Sequence, residues 1–129
     1  MLEIEKYLNE IILNRKLTYI KDNVSVYDFK FDNEVCLSVN NKCYFSSDID
    51  QYINHNIVKI NVILDKEIRF TLDNSLTFFI GLDEKSADTP EVFLLSSEKF
   101  NIYLIYNNFN EIFEFWRRIK NVLGKFRFI

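Results

Sequence analysis

The stretch that decides the fold is Val58-Lys59-Ile60-Asn61-Val62-Ile63-Leu64-Asp65-Lys66-Glu67-Ile68-Arg69-Phe70-Thr71-Leu72-Asp73-Asn74-Ser75-Leu76-Thr77-Phe78-Phe79-Ile80-Gly81-Leu82. Val58, Ile60, Val62, Leu64, Ile68, Phe70, Leu72, Leu76, Phe78, Ile80 and Leu82 all share one parity. A period of two places alternate residues on one face of a strand. With Asp65-Lys66-Glu67 and Asp73-Asn74-Ser75 as three-residue turns, Leu64 pairs with Ile68 and Leu72 with Leu76. That register keeps every one of these apolar residues on the same face.

Outward from this core, Val24–Phe31 and Glu34–Val39 read as strands, with a phase change between Val26 and Tyr27 that predicts a bulge. Glu91–Ser96 and Phe100–Tyr106 form another pair around Ser97-Glu98-Lys99. These two are apolar on both parities, the pattern of strands covered on both faces. From Leu2 to about Lys16, Ile4, Leu8, Ile11 and Ile12 recur at helical spacing and predict an amphipathic N-terminal helix. Asn108 as a cap, Glu111 three residues later, the stripe Phe109, Ile112, Phe113, Trp116, Ile119, Leu123, and Gly124 beyond it predict a C-terminal helix. Arg117, Arg118 and Lys120 then complement its dipole. The expected fold is α+β: an antiparallel meandering sheet packed against N-terminal and C-terminal amphipathic helices.

The 129 residues suit one domain, 1–129, with one core. Hydrophobic residues make up 48% and charged residues 27%, a globular balance. Thirteen Phe and seven Tyr against two Gly and one Pro favour strands. The charged start Met1-Leu2-Glu3-Ile4-Glu5-Lys6 is unlike a secretory signal, and no apolar run reaches a membrane span. A cytoplasmic protein with no membrane partner is expected.

Cys36 and Cys43 flank Asn40-Asn41, which reads as a two-residue hairpin turn. That register sets Ser38 opposite Cys43 and leaves the cysteines diagonal, their β-carbons roughly 7 Å apart where a disulfide needs about 4 Å. Free thiols are expected. One histidine and two cysteines do not make a zinc site, and Gly81 and Gly124 alone cannot build a phosphate-binding loop. No cofactor and no metal are expected.

His55, in a polar loop, has Asp48 or Asp50 as orienting carboxylates and Cys43 as a candidate nucleophile, but a lone histidine is more often structural. The chain is therefore read as a non-enzyme. The pairs Asp48/Asp50, Asp65/Glu67 and Asp83/Glu84 fit solvated turns better than a carboxylate pair in a catalytic cleft. A net charge of −3 argues against general affinity for nucleic acid. The basic, aromatic tail Lys125-Phe126-Arg127-Phe128-Ile129 reads as a protected edge strand in preference to an RNA-stacking segment.

Phe79-Ile80-Gly81-Leu82-Asp83, the polar loop to Pro90, Val92-Phe93-Leu94-Leu95, and Ile102 through Asn108-Phe109-Asn110-Glu111-Ile112-Phe113 resemble the closing pattern of the SUKH superfamily. Gly81 matches its glycine and Asn108–Phe113 its helix start. The resemblance implies a bacterial immunity protein that binds and neutralises a cognate toxin, nucleases being among such toxins. An acidic partner would gain association rate by steering. The expected partner-binding residues are Asp83, Glu84, Asp88 and Glu91, with Asp48 and Asp50 as a second patch and Tyr44 or Tyr52 as aromatic anchors. Two other readings stay open: a homo-oligomeric adaptor module, and a small enzyme or ligand-binding domain using His55.

Overall fold

The computed structural model describes residues 2–24, 26–87, 89–116 and 125–128. In chain order, α1 (Glu3–Ile11) leads into β1 (Lys16–Asp22), β2 (Tyr27–Phe31), β3 (Cys36–Val39) and β4 (Cys43–Phe45). After a short 3-10 turn (Ile49–Tyr52) come β5 (His55–Ile63), β6 (Glu67–Leu72) and β7 (Thr77–Gly81). A second 3-10 turn (Glu84–Ser86) precedes β8 (Glu91–Ser97), β9 (Ile102–Asn107), β10 (Ile112–Trp116) and β11 (Lys125–Phe128). The strands form one antiparallel 11-stranded sheet in the order β11-β10-β9-β8-β3-β2-β1-β5-β6-β7-β4.

This corrects the expected α+β architecture, because α1 is the one α-helix among the described residues. Where a C-terminal helix was expected from Asn108, the chain makes a β-hairpin. Asn107 Oδ1 accepts the backbone N–H groups of Phe109 (2.9 Å) and Glu111 (3.1 Å), and Asn110 adopts a left-handed φ of 61°. Asparagine satisfies local backbone groups in turns and tolerates φ > 0, so the run Asn107-Asn108-Phe109-Asn110 reverses the chain. The β-branched and aromatic residues of Ile112–Trp116 then pair with β9, Phe113 opposite Ile105. Arg117, Arg118, Ile119, Lys120, Leu123 and Gly124 lie outside the described residues. The tail does form an edge strand, with Phe128 opposite Phe113.

Two local expectations also change. The N-terminal helix stops at Ile11, because Asn14 turns left-handed (φ 65°) and Lys16 already begins β1. Asn40-Asn41 is no hairpin turn: Ser38 lies opposite Asp28 and Leu94, and Cys43 opposite Ile80. Only Asn40–Lys42 separate β3 from β4, yet six strand spacings lie between them in the sheet. A flat sheet would put them about 29 Å apart, while four Cα steps reach at most about 15 Å. The sheet must therefore curl until β4 approaches β3.

Aromatic rings fill the interior of the curl. Phe78 of β7 stacks on Phe29 of β2 (centroids 4.9 Å apart) and on Phe70 of β6 (4.7 Å), and meets Tyr52 edge-on at 5.9 Å. Contact between β2 and β7, four positions apart in the sheet, is what rolling up requires. The period-two residues of the deciding stretch line this core, including Ile60, Val62, Ile68, Phe70, Phe78 and Ile80. Val58 and Leu64 are exceptions, both exposed; at Val58 a bulge between Ile57 and Lys59 turns Ile57 inward instead. α1 buries Ile4 and Leu8 in this core, and Ile12 just past its end is buried with them. Glu5 ties α1 to β5 by accepting the N–H groups of Leu2 (3.2 Å) and Val62 (3.1 Å).

Candidate partner-binding surface

The curl of the sheet brings the turn after β5, the connection after β7 and the turn after β9 together around one groove. Asp65 takes the left-handed position (φ 62°) of the β5–β6 turn. Leu82, Asp83, Glu84, Lys85 and Ala87 come from the connection, Asn108 and Phe109 from the β9–β10 turn. Together they line an open groove of about 670 Å³. Three carboxylates and one lysine face it, so its field is negative. Phe109 stands on its rim, 75% exposed.

Two networks hold the groove in shape. Below it, the hydroxyl of Tyr106 donates to Asn110 Oδ1 (2.7 Å), and Asn110 Nδ2 donates to Asp65 Oδ1 (3.3 Å). Burial, then the Asp65 charge, push the Tyr106 phenol up to about 12, so it remains a donor. Behind it, Asn41 is fully buried at the corner between β3 and β4. Its Nδ2 donates to the Gly81 carbonyl (2.8 Å) and to Asn108 Oδ1 (2.9 Å). Asn108 Nδ2 donates in turn to the carbonyls of Thr89 and Pro90. These carbonyl acceptors fix the orientation of both amides.

Gly81 has a steric reason to be glycine. A β-carbon there would lie 2.0 Å from Ser86 Oγ and 2.5 Å from Ser86 Cβ. Its absence lets the acidic connection fold back onto β7, where Ser86 Oγ also meets the Tyr44 hydroxyl (3.1 Å).

Asp83 and Glu84 are exposed and line the groove; Tyr44 does not line it and is half-buried against Ser86. Tyr44 stacks on Phe79 (4.7 Å), whose ring carries the Arg69 guanidinium at 4.8 Å. Asp88 lies outside the described residues. Glu91 is half-buried at the start of β8, opposite Asn107. Asp48 and Asp50 are exposed, but they follow Phe45 at the far end of β4, so they are not continuous with the groove. Tyr52 is no anchor. It is fully buried, donating to the Thr77 carbonyl (2.6 Å) and accepting the Ser46 N–H (2.9 Å). The sequence places Asp65 in a solvated turn but does not join it to this groove, and it hides Phe109, because the asparagine-rich turn that presents the ring resembles a helix cap.

The His55 and Cys43 pair does not assemble. Cys43 lies in register, through Ile80 and Ile68, with Val62, seven residues along β5 from His55. That is about 23 Å of strand. His55 Nδ1 is 2.7 Å from Asp73 Oδ1, not beside Asp48 or Asp50. Burial raises the Cys43 thiol far above its ordinary value, which disfavours the thiolate. Among the described residues no group of three or more His, Cys, Asp or Glu converges as a metal site, and no helix is long and apolar enough to cross a membrane. Comparison of the chain with protein-family models, with curated proteins and with solved structures finds no match.

Proposed function

We propose that this chain is an immunity protein, which captures a cognate protein toxin in the cytoplasm through the groove of Asp65, Asp83 and Glu84. The observation that carries this reading is the exposed Phe109 ring on the rim of a negative groove. An apolar anchor beside a cluster of net negative charge is the form of a site for a basic protein surface. The supporting hydrogen-bond networks make the groove rigid before binding, which lowers the entropic cost of association. The reading rests on this groove and no longer on the SUKH resemblance, whose helix start is a β-hairpin here.

The test is an affinity pull-down from the native host, comparing wild type with Asp83→Lys/Glu84→Lys and with Phe109→Ala. Recovery of one basic effector by wild type, and its loss with either variant, supports the reading. Recovery of an effector equally by all three places the interface elsewhere. Recovery of the chain alone favours a homo-oligomeric module.

A further inference from the structure

A second concavity lies away from the groove, between the C-terminal end of α1 and the hairpin joining β8 to β9. We propose that it binds a compact apolar zwitterion of amino-acid size.

The lining explains the class of ligand. Ile11, Val35, Leu95 and Ile102 supply an apolar floor, and Phe100 contributes its ring from the hairpin. The turn sets that ring in place: the Phe100 N–H donates to Ser97 Oγ (3.3 Å), and Asn101 takes a left-handed φ of 52°. Phe100 remains 45% exposed, a large apolar side chain held over a cleft with part of its face in water. The cleft measures about 280 Å³, roughly the share of nine liquid waters and near the lower end of small-molecule sites.

Its charged lining residues are Glu10 and Arg15. They stand on either side of the chain reversal at Asn14, both exposed. Neither is in an ion pair with the other or with any other described residue; the pairs formed are His55–Asp73 and Arg69–Glu67. A ligand with one charge would meet one attractive and one repulsive group. A molecule carrying an ammonium and a carboxylate beside an apolar body satisfies both and covers the apolar floor.

The experiment follows backbone amide shifts by NMR during titration with L-phenylalanine, phenethylamine and 3-phenylpropionate. The expected result is saturable movement at Val35, Leu95 and Phe100 with L-phenylalanine, and about tenfold weaker binding of each singly charged analogue. Arg15→Ala and Glu10→Gln, exposed substitutions whose spectra report whether the fold is kept, should each weaken L-phenylalanine about tenfold. No movement of these amides at millimolar L-phenylalanine, or equal binding of the three molecules, overturns the proposal. So does unchanged affinity in both variants.

Discussion

Asn41 and Asn108 hold each other by their side-chain amides, Nδ2 to Oδ1 at 2.9 Å, joining the corner where the sheet curls to the turn that presents Phe109. Asn41 is buried and also donates to Gly81, so its removal leaves two acceptors without their donor. Asn41→Ala should destabilise the protein by about 2–4 kcal/mol, from lost hydrogen bonds and unsatisfied partners. Asn41→Asp should be worse at neutral pH, since it sets a carboxylate against two acceptor oxygens, and should recover as acid protonates it. Urea denaturation of both variants across pH checks this, and a pH-independent Asn41→Asp defect would contradict the argument.

Gly81 and Ser86 form a second tight contact. Gly81→Ala pushes a methyl group into Ser86, an overpacking expected to cost about 1–3 kcal/mol. Ser86→Gly removes both clashing atoms at the expense of the Tyr44 contact. The double variant should therefore be more stable than the sum of the singles, with a coupling of about 1 kcal/mol or more. Additive losses in the double-mutant cycle would show that the clash is relieved elsewhere.

These two contacts explain what the sequence concealed. The alternation from Ile60 to Ile80 was legible because each residue's partner lies in a neighbouring hairpin strand, and Phe70 does face Phe78. The β5–β6 register was two residues off, Val62 facing Ile68, but an even slip preserves the face and hence the core. β1 was not foreseen, since Leu17 is its one fully buried residue and gives no alternation. Asn40-Asn41 resembled a hairpin turn locally, and nothing nearby announces that Cys43 pairs with Ile80. At Ile112–Trp116, apolar spacing suits a helix and a strand alike, and the turn at Asn107 decides between them. For the candidate site, the acidic residues Asp83 and Glu84 were legible as exposed loop charges. Phe109 was not, because its exposure depends on that same turn.

The two free cysteines differ in accessibility, which sets their reactivity. Cys43 is buried and Cys36 partly so; burial is the main cause of a raised thiol value in both. At pH 7 the native protein should label with iodoacetamide slowly at Cys36, and at Cys43 only after unfolding. Mass spectrometry of alkylated peptides with and without urea reads this directly. Rapid labelling of Cys43 in native protein would restore it as a candidate nucleophile.

Asp73 makes stability depend on acid. Its carboxylate accepts the Asn56 N–H (3.1 Å) and pairs with His55, and these contacts, the backbone bond first, hold it below the usual carboxylate range. A carboxyl depressed in the folded state contributes stability above its unfolded value of about 4. That contribution is lost as pH falls through the lower folded value. Asp73→Asn keeps an acceptor for Asn56 but cannot titrate. Between pH 5 and 2, roughly the window of carboxylate titration, its stability should therefore fall less steeply than that of wild type. Urea midpoints measured across this range decide the matter: parallel curves would mean that other carboxylates carry the acid sensitivity.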